Sequence, residues 1–260
     1  MDTRLIALDM DGTLLDSRKQ LPPDFIPWVK AHPQYRIAIA SGRQFYTLWD
    51  EFEEIAPQLI IIAENGSYVT ENKEVIFLKT MEKEDVRACL DICMPLPGTS
   101  IVLSGVASAC MRTDISAEAR RQGELYYHRL VFQDDLYAYA EQDGIIKVSL
   151  YIDDFKAAET AELIKGLNPR IKAVVSGRDW IDIIHSDVSK GTAMEAVQRQ
   201  FGLRPDQCMA FGDYMNDYEM LKKCGQSFAM GNATQAIKEI ARFETDTNDR
   251  DGVMKVLRGL

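Results

Sequence analysis

The sequence lacks both a long apolar run and a surplus of positive charge. No stretch approaches the roughly 18 consecutive apolar residues that indicate a membrane-spanning helix. The 40 Asp and Glu residues outnumber the 30 Lys and Arg residues, which gives a net charge of −10 at pH 7. Nonspecific binding to nucleic acid or to anionic lipid needs a positive surface. The composition therefore predicts that neither nucleic acid nor a membrane is a partner.

Cysteine is scarce, and its distribution is not that of a disulfide framework. The chain has five cysteines, an odd number, and they are scattered. Cys89 and Cys93 are four residues apart, a helical spacing that favours packing in the core over half of a metal site. The first residues are charged and lack the apolar stretch and cleavage site of a secretory signal. These features predict a cytoplasmic protein.

The composition is that of an ordinary globular protein, and strands and helices alternate regularly in only part of the chain. Hydrophobic residues make up 46% and charged residues 27% of the 260 positions. Short apolar strands alternate with helices near both ends of the chain, and each strand is apolar on both faces. This pattern predicts an α/β fold with a Rossmann-like parallel sheet covered by helices on both faces. We assign residues 1–80 and 187–260 to this core.

Between these two parts the alternation is lost. Residues 81–186 contain helices and pairs of strands that do not alternate regularly. This pattern predicts an inserted α+β cap domain with its own sheet. The stretch from Ser116 to Arg129 is interpreted as a polar, charged segment, and no helix or strand is assigned to it. The polar residues expected to include substrate contacts in this domain are Arg112, Lys147, Arg178 and Asp182.

The first strand ends in a pattern that carries chemistry. The apolar run Leu5–Leu8 is followed by Asp9 and Asp11, and Gly12 then allows a turn. Side chains two apart on extended chain lie on the same side. Two adjacent carboxylates repel each other and need a proton or a cation. A Mg²⁺ ion, which binds oxygen ligands and keeps positions open for a substrate phosphate, would satisfy them.

Other strands deliver polar groups to the same edge. Ser41 follows the strand that starts at Arg36, and Asp213 follows the strand that starts at Cys208. Lys190 lies at a helix start after the insertion. Ligands of open parallel sheets bind at the carboxyl ends of the strands. Carboxylates, a hydroxyl and a cation at one edge therefore predict a phosphate site with its own Mg²⁺.

These residues belong to a set of motifs that resembles a known family. In chain order the set consists of Asp9-Met10-Asp11-Gly12-Thr13-Leu14, Ser41-Gly42-Arg43, Ser189-Lys190-Gly191, and Gly212-Asp213 with Asn216-Asp217. Three minor signatures are Asn65-Gly66, Gly231-Asn232-Ala233 and Asp251-Gly252-Val253. Together they resemble the haloacid dehalogenase-like phosphatases, and among them the Cof-type subfamily with a large C2-type cap inserted late. The resemblance covers essentially the whole chain.

The resemblance implies roles for the acidic residues and the lysine. Asp9 would be the nucleophile that becomes an aspartyl-phosphate. Asp11 would act first as acid towards the leaving alcohol and then as base towards water. Mg²⁺ would be held by Asp9, by the backbone carbonyl of Asp11 and by Asp213. Lys190 would stabilise the transferring phosphoryl group.

The remaining motif residues would bind phosphate or support the site. Ser41, Gly42, Lys190 and Asn216 are expected to contact the phosphate. The residues expected to support the site or touch substrate are Thr13, Arg43, Asp217 and Asn232. For Arg43 two interpretations remain open, a substrate contact and a surface ion pair.

The sequence therefore predicts a Mg²⁺-dependent phosphatase for small phosphorylated metabolites, with sugar phosphates favoured by the resemblance and cofactor phosphates left open. A phospho-accepting signalling module is the alternative, because such modules also combine an acidic pocket, a hydroxyl and a lysine. A phosphomutase is disfavoured, since the short stretch between Asp11 and Ser41 leaves no room for a small helical cap. A dehalogenase would not need Asp11. The oligomeric state is not predicted.

Overall fold

The computed structural model describes residues 3–152, 157–164, 168–175 and 179–260. These residues form two compact units. The first unit combines the chain up to Leu78 with Ser189–Leu260, and the second is Lys79–Val188. The first unit contains every residue of the motifs that carry the resemblance.

The first unit is built on an eight-stranded sheet. Among the described residues its strands are β1 (Leu5–Asp9), β2 (Arg36–Ala40), β3 (Leu59–Ala63), β4 (Tyr68–Glu71), β5 (Glu74–Leu78), β12 (Cys208–Gly212), β13 (Gln226–Ala229) and β14 (Phe243–Glu244). Their order is β14-β13-β12-β1-β2-β3-β4-β5. The pairs from β14 to β3 are parallel, whereas β4 and β5 continue the sheet as antiparallel strands. Strand β1 lies between β12 and β2, so the motif-bearing strands are neighbours.

Helices cover both faces of this sheet. The helices of the unit are α1 (Phe25–Ala31), α2 (Phe45–Glu51), α7 (Lys190–Phe201), α8 (Tyr218–Lys223), α9 (Gln235–Ile240) and α10 (Gly252–Leu257). Leu5 and Ala7 pack in one apolar cluster with residues of α7, α8 and α9. Ile6 and Leu8 point to the opposite face by strand alternation and are fully buried as well. Burial of both faces explains why the strands are apolar throughout.

The second unit has its own, mainly antiparallel, sheet. Its described strands are β6 (Thr99–Gly105), β7 (Ala109–Met111), β8 (Leu130–Phe132), β9 (Ile145–Ile152), β10 (Ile171–Val175) and β11 (Trp180–His185). Their order is β10-β11-β9-β6-β7-β8, with one parallel pair, β7 and β8. Its helices are α3 (Lys83–Cys93), α4 (Ala117–Tyr126), α5 (Leu136–Gln142) and α6 (Ala157–Ile164). This unit is therefore α+β.

Two elements of this unit were not predicted. Residues 116–129, interpreted as a polar segment, contain helix α4, and strand β8 follows directly after them. The helix buries only two small residues, Ala119 and Gly123. A Cβ at Gly123 would lie 2.3 Å from the Met111 sulfur, so the helix packs closely on β7. Small buried residues leave no apolar stripe in the sequence, and for this reason the pattern did not indicate a helix.

Other sequence-based predictions agree with the fold. The parallel α/β sheet with helices on both faces is confirmed. Cys89 and Cys93 are fully buried in the core of the second unit, which confirms their predicted packing role. Among the described helices, none combines the length and the apolar character that crossing a bilayer requires.

Candidate active site

The turn after β1 presents the first two aspartates. Strand β1 is buried along its length and ends at Asp9. Backbone hydrogen bonds close the turn, and one of them runs from the Leu14 N–H to the Asp9 carbonyl at 3.2 Å. Gly12 has a φ of +86°, and a Cβ there would lie 2.3 Å from the Asp213 carboxylate. Glycine is therefore required by both the backbone conformation and the close approach of the two loops.

Lys190 reaches this turn from the start of α7. Ser189 caps the helix, because its hydroxyl accepts a hydrogen bond from the Thr192 N–H at 3.1 Å. The Lys190 ammonium is fully buried and donates to Asp9 Oδ1 at 2.5 Å and to Asp217 Oδ1 at 2.6 Å. Burial of a charged ammonium is costly unless anionic partners of this kind surround it. The lysine thereby joins the ends of three separate chain segments.

Asp213 and Asp217 come from the loop after β12. The Asp217 carboxylate is fully buried, and its Oδ2 accepts the N–H groups of Asp213 at 3.0 Å and Tyr214 at 3.2 Å. The Thr13 hydroxyl donates to Asp213 Oδ1 at 3.3 Å. Asp217 thus fixes the backbone that carries Asp213, while Thr13 connects Asp213 to the β1 turn.

The loop after β2 is held by an unusual segment after β3. Glu64 and Asn65 have φ values of +53° and +56°, which non-glycine residues rarely adopt. Their N–H groups donate to the carbonyls of Arg43 and Ser41 at 3.1 and 3.0 Å. The Asn65 side chain lies so close to Gly42 that a Cβ there would approach within 3.1 Å. Strained backbone of this kind is retained where the surrounding structure holds it; here it fixes Ser41, Gly42 and Arg43.

The electrostatics of Asp9 and Asp213 follow from their crowding. Burial, together with the Asp217 carboxylate, raises the pKa of Asp9, although Lys190 acts in the opposite direction. The same two causes raise the pKa of Asp213. Burial alone would lower the pKa of Lys190, but the carboxylates of Asp217 and Asp9 more than offset it, so that pKa is raised. The lysine is charged, and the carboxylates around it are in excess.

Asp11 has the opposite surroundings. Its carboxylate accepts two hydrogen bonds from the Arg43 guanidinium, at 3.2 and 2.8 Å, and one from the Lys19 ammonium at 2.6 Å. Burial would raise the pKa of Asp11, but Arg43 and Lys19 outweigh it and the pKa is lowered. Arg43 also donates to Glu51 on the last turn of α2. Of the two interpretations of Arg43, neither described this contact with Asp11.

The donor set fits a divalent cation. Asp9, Asp213 and Asp217 have carboxylate oxygens within 4.8 Å of one another, and Lys190 supplies one positive charge against these three. The two remaining negative charges and the oxygen ligands suit Mg²⁺. Both Asp217 oxygens already accept hydrogen bonds. Asp9 and Asp213 are therefore the carboxylates better suited to bind a metal directly.

The remaining predicted residues lie at the same edge of the first unit. Ser41 is buried, and its hydroxyl accepts the Arg43 N–H at 3.2 Å. Asn216 is half-buried in the short 3-10 helix Met215–Asp217. The Asn232 amide donates to the Gly12 carbonyl at 2.8 Å and approaches Asp213 Oδ2 at 3.5 Å.

Some residues of the site were not predicted. Sequence reasoning did not assign Lys19 or Glu51. It expected Asp217 to position Lys190 and the surroundings of the metal, and in the structure the Asp217 carboxylate contacts Lys190 and also joins the acidic cluster. The polar turn after Asp16 was the only sequence signal for Lys19. Nothing in the spacing of Arg43 and Glu51, eight residues apart, indicated their contact.

The predicted substrate contacts of the second unit are of two kinds. Arg112 forms a partly exposed pair with Asp114 at 2.6 Å. Lys147 and Asp182 are both buried, with the ammonium 3.4 Å from Asp182 Oδ1, and the Ser149 hydroxyl donates to the same oxygen at 2.6 Å. Arg178 lies outside the described residues.

Comparison with known proteins identifies relatives along nearly the whole chain. The profile of the haloacid dehalogenase-like hydrolase family matches residues 6–257. The 5-amino-6-(5-phospho-D-ribitylamino)uracil phosphatase YbjI of Escherichia coli is 30% identical over 99% of this chain and 96% of its own length. The phosphatase YcsE of Bacillus subtilis, named for the same substrate, is 26% identical over 99% of this chain and 96% of its own.

A solved structure agrees with these relatives. The crystal structure of SMU.1108c from Streptococcus mutans is 26% identical and has a TM-score of 0.88, covering 99% of this chain and 98% of the other. The family match and the phosphatase relatives confirm the predicted enzyme class, a phosphoric monoester hydrolase. The chain belongs to the haloacid dehalogenase-like hydrolases.

Proposed function

We propose that this protein is a Mg²⁺-dependent phosphatase of small phosphorylated metabolites that works through an aspartyl-phosphate on Asp9. The observation that carries the proposal is the buried contact of Lys190 with Asp9 and Asp217 beside Asp213. A structural ion pair needs no further carboxylate at the same place. An excess of negative charge at one place instead favours binding of a cation, which could in turn bind a phosphate.

Asp9 and Asp213 would hold the metal with their side chains. The Asp11 carboxylate is engaged by Arg43 and Lys19, so Asp11 would contribute its backbone carbonyl, as the resemblance implies. When bound, Mg²⁺ would offset the repulsion between carboxylate and phosphate and draw charge from the phosphoryl oxygens.

The reaction follows from the roles of the two aspartates. An Asp9 oxygen forms a bond to phosphorus while the bond from phosphorus to the leaving oxygen breaks. The electron pair stays on the leaving oxygen, which takes a proton from Asp11. Because Arg43 and Lys19 favour the ionised form of Asp11 in the free protein, Asp11 would take up this proton from the phosphate monoanion of the substrate before the bond breaks. Water then attacks phosphorus and gives a proton to Asp11 as the bond to Asp9 breaks. Inorganic phosphate leaves, and both aspartates return to their initial states.

Other residues bind the phosphate and hold the reacting groups. The Lys190 ammonium, which lies against Asp9, would stabilise the charge on the transferring phosphoryl group. Ser41, the Gly42 N–H and Asn216 would donate hydrogen bonds to the phosphate. Three residues would keep these groups in place: Asp217 orients Lys190, while Thr13 and Asn232 orient Asp213.

A phosphate on a sugar or polyol chain is the favoured substrate class. The two curated relatives are named for a substrate whose phosphate is carried by a ribityl chain attached to a uracil. The family resemblance favours sugar phosphates as well. We therefore expect the substrate to be an alkyl phosphate, whose leaving group is an alcohol. We expect the second unit, residues 81–186 by the sequence-based division, to determine which alkyl phosphate is accepted.

The test is phosphate release with 4-nitrophenyl phosphate, ribose 5-phosphate and the phosphorylated ribitylaminouracil. Activity should require Mg²⁺ and disappear in EDTA. Asp9→Asn should abolish turnover, because an amide cannot serve as the nucleophile. Asp206→Asn makes the same chemical change on an exposed carboxylate and should retain turnover.

Two outcomes would contradict the proposal. Near-normal turnover by Asp9→Asn would exclude Asp9 as the nucleophile. A phosphorylated Asp9 that persists for minutes after incubation with acetyl phosphate, with no turnover of any ester, would instead support a phospho-accepting module. Rapid loss of that phosphate supports the phosphatase.

A further inference from the structure

The side chain of Asp11 is held by two cations that differ in their exposure. The Arg43 side chain is 13% exposed, whereas that of Lys19 is 59% exposed. Arg43 uses Nε and Nη2 to contact both Asp11 oxygens, a two-point contact that fixes the plane of a carboxylate. Lys19 contacts one oxygen from a flexible side chain. Arg43 is thus the partner that determines the orientation of Asp11.

Arg43 is itself fixed at several points. Its backbone N–H donates to the Ser41 hydroxyl, and its carbonyl accepts the Glu64 N–H at 3.1 Å. At the far end, Nη1 donates to Glu51 Oε1. Glu51 lies on α2, whose Phe45 packs against Tyr68 in the sheet with ring centres 5.3 Å apart. The guanidinium is therefore held between a helix anchored in the core and the carboxylate of Asp11.

We propose that Glu51 is a positioning residue that acts through Arg43 on the proton-donating carboxyl of Asp11. The inference rests on the proposed function, in which the leaving oxygen takes its proton from Asp11. Proton transfer requires the two heavy atoms to lie within hydrogen-bonding distance, and small displacements cost large factors in rate. Without Glu51 the guanidinium would lose its second anchor, and Asp11 would lose its fixed orientation.

The leaving group distinguishes this role from a purely structural one. When the phosphorus–oxygen bond breaks, a nitrophenolate carries the electron pair without a proton, but an alkoxide needs the proton of Asp11. The ratio kcat/KM reports the steps up to this bond cleavage. Glu51→Gln should therefore lower kcat/KM for ribose 5-phosphate by about 10-fold, a part of the roughly 10²–10⁴-fold that general acid catalysis contributes. For 4-nitrophenyl phosphate the expected change is less than about 3-fold.

Three further variants calibrate the experiment. Asp11→Asn removes the proton donor and should therefore give the largest difference between the losses of kcat/KM for the two substrates. Arg43→Lys keeps the charge but loses the two-point contact, so it should show the same selective loss as Glu51→Gln. Glu54 is exposed and pairs with Lys30, so Glu54→Gln should change kcat/KM for neither substrate. Thermal unfolding should be recorded for each variant, to show that it is folded at the assay temperature.

An equal loss with both substrates, or no loss in Glu51→Gln, would overturn the positioning role while leaving the phosphatase intact. An equal loss of kcat/KM for both substrates in the Asp11→Asn variant would contradict the proton-donating role of Asp11 itself. Absence of turnover by the wild-type protein with every ester would contradict the proposed function and, with it, this inference.

Discussion

Replacement of Lys190 by methionine is the perturbation for which the structure predicts the largest effect on stability. The ammonium is fully buried and donates at 2.5 and 2.6 Å to Asp9 and Asp217. Methionine retains the length and apolar stem of the side chain but leaves three carboxylates, including Asp213, without their shared cation. Removing one partner of a buried ion pair costs about 3–5 kcal/mol.

The loss is measurable by calorimetry in EDTA at pH 7. Because a change of 1 kcal/mol shifts Tm by about 2–4 °C in a domain of this size, the Lys190→Met variant should unfold roughly 6–20 °C below the wild type. Lys223→Met is the matched control, since Lys223 pairs with Glu195 on the surface. Exposed pairs contribute about 0–1 kcal/mol, so its Tm should shift by no more than a few degrees.

A double variant tests the physical reason for this loss. Asp217→Asn removes one of the carboxylates that Lys190 neutralises. In the Lys190→Met background, the same change should therefore cost less than it does in the wild type, with a coupling energy of at least about 1 kcal/mol. A Tm of Lys190→Met close to that of Lys223→Met, or additive effects in the double variant, would refute the reasoning.

Two further predictions concern metal binding and the dependence of folding stability on acidic pH. Asp213→Asn should raise the Mg²⁺ concentration needed for half-maximal activity or abolish activity, and an unchanged Mg²⁺ titration would contradict its assignment as a ligand. In the second unit, hydrogen bonds from Arg170 lower the pKa of buried Asp85. A carboxyl with a lowered pKa stabilises the folded state above its unfolded pKa of about 4, and this contribution is lost as the pH falls through the folded value. Asp85→Asn should thus cost about 2 kcal/mol at pH 7 and progressively less in unfolding curves below about pH 4.

The sequence predicts the part of the site that depends on strand order. Asp9 and Asp213 each end an apolar strand, and β1 pairs with β12 in parallel. Neighbouring parallel strands bring their carboxyl ends to one edge, so the approach of these two residues follows from pattern alone. Ser41 follows β2, the other neighbour of β1, by the same argument.

The sequence does not predict the parts that depend on helix placement and loop conformation. Asp217 joins the acidic cluster because the 3-10 helix Met215–Asp217 turns its carboxylate back towards the N–H of Asp213. Glu51 meets Arg43 because of the orientation of α2, which no periodicity encodes. Helix α4 illustrates the same limit in the second unit, since a helix that buries alanine and glycine has no apolar stripe.

The two aspartates of the first motif show that the charged groups around a carboxylate, rather than the motif it belongs to, determine its pKa. They are two residues apart, yet Asp9 lies among carboxylates and its pKa is raised, whereas Asp11 lies between cations and its pKa is lowered. A nucleophile must be ionised, so a cation that stabilises ionised Asp9 would be needed for attack as well as for binding phosphate. In the proposed mechanism Mg²⁺ would supply this stabilisation together with Lys190, whereas Asp11 already has two cationic partners, Arg43 and Lys19.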